Sequence, residues 1–156
     1  MIQRIQTVYL LIISVLMIVL LFLPLATVQV GETFYSFNAA GLYTMLAEEP
    51  ELVFPAWGLF ILTAAIAILA LVIIFLFKRR ILQIRMCVFN ALLMIGFYAL
   101  FAIILWKVKE GAGLDAFSFT GQIGLTFPFI CIILDYLAIR NIGADEALVR
   151  SLERLR

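Results

Sequence analysis

The chain has 156 residues, 66% of them hydrophobic, with 11 basic residues, 10 acidic residues and no histidine. Its mean hydropathy of +1.19 is far outside the soluble range, and its length suits a single domain. No basic stretch is interleaved with aromatics, which argues against nucleic-acid binding. Without histidine or a Cys-x-x-Cys, the chain also lacks the usual ligand sets for zinc, haem or iron–sulfur cofactors, and none is expected.

Residues 1–6 form a polar leader carrying Arg4. Residues 8–26 are apolar except for Tyr9 and Ser14, a run too long for the core of a signal peptide. An uncleaved first transmembrane helix is expected there, kinked or stopped by Pro24. The following loop, 27–52, holds Glu32, Glu48, Glu49 and Glu51 but no Lys or Arg. That acidic run reads as a solvated loop rather than a metal site. Residues 27–30 and 33–37 are rich in β-branched and aromatic side chains around Gly31-Glu32, the pattern of a hairpin with a two-residue turn. Asn38 then reads as the N-cap of a short helix through about Ala47, with Leu42, Met45 and Leu46 on its apolar face.

A second span is expected over 53–77, with Pro55 in its first turn and Trp57 at the interface. Ala56, Thr63, Ala67 and Ala70 make a small-residue stripe suited to close helix contact. The segment 78–85 places Lys78, Arg79, Arg80 and Arg85 in a short polar interruption between two long apolar runs. A third span is expected over 87–106, closed by Trp106, with Ala91, Tyr98 and Ala102 on one face. Residues 107–120 form a second outer loop with a short strand over 114–119. A fourth span is expected over 121–139, kinked at Pro128. Gly143 should end it, and Asp145-Glu146 should open an amphipathic tail helix carrying Leu148, Leu152 and Leu155.

The basic residues set the topology. Arg4, the four bases of 78–85, Arg140, Arg150, Arg154 and Arg156 fall on one side, against Lys107 and Lys109 on the other. Lys and Arg resist translocation, so both termini are expected in the cytoplasm. Tyr35-Ser36-Phe37-Asn38 echoes Phe117-Ser118-Phe119-Thr120, and Gly41-Leu42 echoes Gly124-Leu125. A parallel repeat of two helix–strand–helix halves would produce such an echo; chance in an aromatic-rich chain would also. Strands from the two outer loops are expected to share one sheet, with 35–37 beside 114–119.

The opening Met-Ile-Gln-Arg-Ile-Gln-Thr-Val-Tyr-Leu-Leu and the closing Asp-Glu-Ala-Leu-Val-Arg-Ser-Leu-Glu-Arg-Leu-Arg resemble the ends of a family of small four-span membrane proteins of Bacteroidota-type bacteria, known as a domain of unknown function. The resemblance implies an inner-membrane location and supplies no activity or site residues. The plan also resembles claudin-like proteins, but their paired outer-loop cysteines are absent, so that likeness is architectural only.

The expected fold is an all-α membrane protein: a four-transmembrane-helix bundle with a small extracytoplasmic β-sheet from the two outer loops and a C-terminal amphipathic helix. Asp135 is the one acid within a span. With Asn90 and Arg85 it forms a candidate polar cluster near the cytoplasmic edge, read as a structural pin on two helices or as a proton or ion relay. Ser14 and Thr63 are expected to bond back to their own helices. Cys87 and Cys131 read as small buried hydrophobes at different depths, without a disulfide. Tyr35, Phe37, Phe117 and Phe119 offer a partner surface or, equally, a cap on the bundle. No catalytic motif is present, so an enzyme is not expected. The reading is a non-catalytic scaffold or accessory subunit, in contact with the lipid bilayer and with a membrane-protein partner or a second copy. A small transporter or channel component is the alternative; polar groups lining a cavity at mid-membrane from several helices would favour it.

Overall fold

The computed structural model describes residues 3–30, 32–45, 51–77, 79–112 and 117–154. Helix α1 (Gln3–Leu20) leads into strands β1 (Pro24–Val30), β2 (Thr33–Asn38), β3 (Gly41–Thr44) and β4 (Leu52–Pro55). Helices α2 (Trp57–Phe75) and α3 (Arg80–Ala112) follow, then β5 (Phe117–Gly121), a 3-10 turn at Ile123–Thr126 and α4 (Phe127–Arg154).

The all-α expectation is overturned. The outer segments build a five-stranded antiparallel sheet in the order β4-β3-β2-β1-β5, and among the described residues three helices are long and apolar enough to cross a membrane: α2, α3 and α4. The apolar part of α1, Ile5–Leu20, is shorter, because the chain leaves the helix four residues before Pro24 and continues as β1. Residues 52–55 likewise belong to the sheet rather than to the second helix. Pro55 ends edge strand β4, where a missing N–H is tolerated. Pro128 falls in the first turn of α4, where it costs no helical hydrogen bond, so no kink is required. Gly143 does not end α4, and the tail is the continuation of that helix rather than a separate one. A glycine inside a helix costs only about 1 kcal/mol, well within what the surrounding packing supplies.

The predicted hairpin is present: Val30 pairs with Thr33, leaving a two-residue connection. The short helix expected after Asn38 is replaced by β3, with Leu42 paired to Phe37; residues 46–50 lie outside the described set. The second loop contributes β5, but it pairs with β1, so β1 separates it from β2. The described part of the expected strand begins at residue 117. The two echoed triplets thus flank β1 on opposite sides. The echo does not extend to the sheet as a whole, which takes four strands from one half and one from the other.

The helices form a ring in which α1 packs on α2, α2 on α3, α3 on α4 and α4 on α1. Each turns a seam inward at alternating spacings of three and four, the 3.5-residue period of left-handed helix packing. The seams run through Gln6, Leu10, Ile13, Met17 and Leu20 in α1 and through Leu59, Thr63, Ile66, Ala70 and Ile73 in α2. In α3 they continue through Gln83, Cys87, Asn90, Met94, Phe97, Phe101 and Ile104, and in α4 through Cys131, Asp135, Ala138, Ile142 and Asp145. The small residues Ala56, Thr63, Ala67 and Ala70 are all buried, as their stripe predicted; Ala102 is exposed. The other helix faces carry exposed Ile, Leu, Val and Phe, as surfaces that meet lipid do.

Candidate functional site

Two polar layers cross the seams, and they differ in how their hydrogen bonds are met. The first lies at the end of the helices bearing Arg79 and Arg80. Gln6 Nε2 donates to Asp145 Oδ2 at 3.0 Å, and an Arg80 guanidinium nitrogen donates to the Asp145 carbonyl at 3.2 Å. Gln83 Nε2 donates to the Ile73 carbonyl at 3.3 Å. Side chains from α1 and α3 therefore meet α4 and α2 in one belt, and each of these buried polar side chains has a partner. The sequence marked none of the three as a site. Only the 3–4 spacing of polar residues among apolar ones could have placed them on the inner face.

The second layer is unsatisfied. Asp135 and Asn90 are fully buried, and Ser14 is 1% exposed. Neither carboxylate oxygen of Asp135, neither amide atom of Asn90 and not the Ser14 hydroxyl has a hydrogen-bond partner among the described residues. The expectation that Ser14 bonds back to its own helix is thus not met, whereas Thr63 Oγ1 does donate to the Leu59 carbonyl at 2.7 Å. The Cys87 thiol of α3 lies beside the Asp135 carboxyl without meeting hydrogen-bond geometry. Cys131, one turn along α4 towards the sheet, directs its Sγ at the Ile13 carbonyl of α1 at 4.0 Å. Both cysteines are free and buried. Helical periodicity places Asn90 one turn above Cys87 on the α3 seam, and Ser14 follows Ile13. The layer is therefore assembled from α1, α3 and α4.

Its depth differs from the sequence reading. Asp135 lies ten residues from Asp145 along one continuous helix and eight from Phe127. At about 1.5 Å per residue these are separations of about 15 Å and about 12 Å. The carboxyl is well inside the helical layer rather than at its basic rim. Arg85, the third member of the expected cluster, is exposed and takes no part; its long side chain joins Arg79 and Arg80 in a groove at the basic end.

Two of the four residues of the expected partner surface, Tyr35 and Phe37, pack towards the helices. Phe37 is fully buried and meets Phe101 of α3 edge-on at 5.2 Å, and Phe119 approaches the same ring at 6.2 Å. Tyr35 packs against the core. The Phe117 side chain lies outside the described set, although its backbone pairs with Val30. Cross-strand rows Ala26–Phe37–Leu42 and Val28–Tyr35 face the helices, so Phe37 and Tyr35 cap the helix ring, while Phe119 keeps 39% exposure. The opposite face presents Thr27, Gln29, Ser36 and Thr120, and Gln122 Nε2 donates to Thr27 Oγ1 at 2.6 Å.

A family model described as Domain of unknown function (DUF4293) matches residues 2–155. The chain belongs to this family. No curated protein and no solved structure matches it. Within this DUF4293 chain, the unpartnered buried side chains Ser14, Asn90 and Asp135 are the groups with chemical capacity. They offer carboxylate, amide and hydroxyl oxygens on the inward faces of three helices. Among the described residues, no group of three or more His, Cys, Asp and Glu is placed to hold a metal ion. Hard, weakly held ligands suit such an oxygen set better than a transition metal.

Proposed function

We propose that this protein is a small membrane transporter or channel component that takes up a proton or a small monovalent cation at Asp135. The observation that carries this reading is the contrast between the two layers. Gln6, Gln83, Thr63 and Asp145 all have hydrogen-bond partners, whereas the Asp135, Asn90 and Ser14 side chains have none among the described residues. A buried polar group left without a partner costs about 1–3 kcal/mol, and a charged one more. A layer with five such atoms is consistent with a ligand, and an intramembrane carboxylate marks an ion or proton path by default.

In this reading the protein resides in a bacterial inner membrane with its basic end, Arg79, Arg80 and Arg85, facing the cytoplasm. The scaffold reading draws less from the outer aromatics than the sequence suggests, because Phe37 is buried against Phe101 and Tyr35 packs on the core, while Phe119 keeps 39% exposure.

Occupancy is tested by thermal unfolding of detergent-purified protein across a pH series and in Na⁺, Li⁺ or K⁺. A ligand that binds only the folded state raises the midpoint with its concentration. One of these variables should move the wild-type midpoint and leave Asp135→Asn unmoved. Identical responses in the two proteins would refute the reading.

A further inference from the structure

A groove of about 560 Å³ opens at the basic end, between the start of α3 and the last turns of α4. Its polar wall is arginine-rich: Arg79, Arg80 and Arg85 face a single acid, Glu146. Arg80 is held in place by its hydrogen bond to the Asp145 carbonyl. Arg79 and Arg85 are exposed, and no hydrogen bond or ion pair engages either guanidinium among the described residues. The rest of the wall is apolar. Ile81 and Leu82 are 49% and 38% exposed and Val149 is 37% exposed, and they continue the apolar outer faces of α3 and α4.

Charged heads beside exposed aliphatic side chains, at the end of membrane-length helices, match one ligand in both halves. We propose that the groove binds an anionic glycerophospholipid of the surrounding bilayer. The phosphodiester sits between Arg79 and Arg85, and the upper acyl chain runs along Ile81, Leu82 and Val149. Guanidinium groups present paired donors to phosphate oxygens, and basic pockets between helices at a membrane surface recognise anionic headgroups in this way. The apolar wall is what separates a lipid from a free phosphate, which would gain nothing from it. This site is independent of the Asp135 layer and stands or falls separately.

The full-length protein in neutral detergent is titrated with phosphatidylglycerol or phosphatidylcholine, and bound lipid is counted by native mass spectrometry. Phosphatidylglycerol should be retained in preference to phosphatidylcholine. Arg79→Gln with Arg85→Gln should weaken its retention about 30-fold, about fivefold for each charge removed. The paired Lys variants should keep most of it. If the double glutamine variant does not fold, Arg85→Gln alone carries the test with its fivefold loss. Equal retention of the two lipids, or retention unchanged by the glutamines, overturns the proposal. Complete displacement by inorganic phosphate at the lipid's own concentration also overturns it, in favour of a free-phosphate site.

Discussion

Gln6 and Asp145, 139 positions apart, share a buried hydrogen bond of 3.0 Å from Gln6 Nε2 to Asp145 Oδ2. The bond joins the first helix to the last, and Arg80 attaches the third to the same turn of α4. Closing this end of the ring fixes the axial register of α1, α3 and α4. Register in turn decides which side chains share a level with Asp135.

Removing the carboxylate should therefore destabilise the fold. Asp145→Ala strands the buried Gln6 amide, at a cost of about 1–3 kcal/mol. Asp145→Asn, which can still accept the bond, should cost less. Chemical unfolding of Gln6→Ala, Asp145→Ala and the double variant measures their coupling. Additive losses would mean that the two residues do not stabilise the fold as a pair.

The order of the strands has a simple signature. Val28 pairs with Phe119, whereas Tyr35 is on the far side of β1 from it. Directly opposed residues have Cβ atoms about 4.5–5.5 Å apart, and a second strand adds about 4.8 Å. In a background lacking Cys87 and Cys131, Val28→Cys with Phe119→Cys should crosslink under mild oxidation. Tyr35→Cys with Phe119→Cys should not. The reverse pattern would place β5 beside β2.

Two glycines are required by close backbone approach. A Cβ on Gly124 would lie 2.6 Å from the Pro24 carbonyl oxygen, and one on Gly41 would lie 2.6 Å from that of Phe54. Neither neighbour is a flexible side-chain end, so alanine at either site should cost about 1–3 kcal/mol. Gly96 lies within α3 with nothing within 4 Å of its added Cβ. Gly96→Ala should instead stabilise by up to about 1 kcal/mol. Thermal unfolding of the three variants checks the ranking.

The chain was legible where one residue type decides the outcome. Gly31-Glu32 between two β-rich runs signalled the hairpin, and the bases of 78–85 marked the turn between two long helices. Helix ends were less legible. Residues such as Leu25, Ala26, Val53 and Phe54 are equally at home in a lipid-facing helix and in the buried face of a strand, so hydropathy alone carried two helices into the sheet. The inward seams were hidden for a related reason. When lipid-facing and core-facing residues are both apolar, the amphipathic contrast that marks a soluble helix disappears. What remains is the spacing of the rare polar residues, Gln6 to Ser14 and Gln83 to Asn90. Taking Arg140 as the end of the fourth span puts Asp135 near the basic rim, whereas α4 continues well past it. Arg140 is exposed on a helix that continues to Arg154, and a long cationic side chain can reach the interface from within the span.

Among the described residues neither Asp135 oxygen meets hydrogen-bond geometry with a partner, the Cys87 thiol beside it included, and this separates a ligand site from a structural pin. Asp135→Leu should leave thermal stability unchanged or raise it by about 1–3 kcal/mol, since a buried polar group is replaced by an apolar one. A pin would behave in the opposite way, falling by about 3–5 kcal/mol when its partner is stranded.

The most direct test is cation flux through proteoliposomes containing purified protein, read with a pH-sensitive dye and with an internal Na⁺ indicator. Wild-type vesicles should dissipate an imposed proton or Na⁺ gradient faster than empty vesicles. Asp135→Asn, folded and reconstituted to the same density, should return the rate to that of empty vesicles. A wild-type rate equal to that of empty vesicles, or an unchanged rate in Asp135→Asn, would contradict the account.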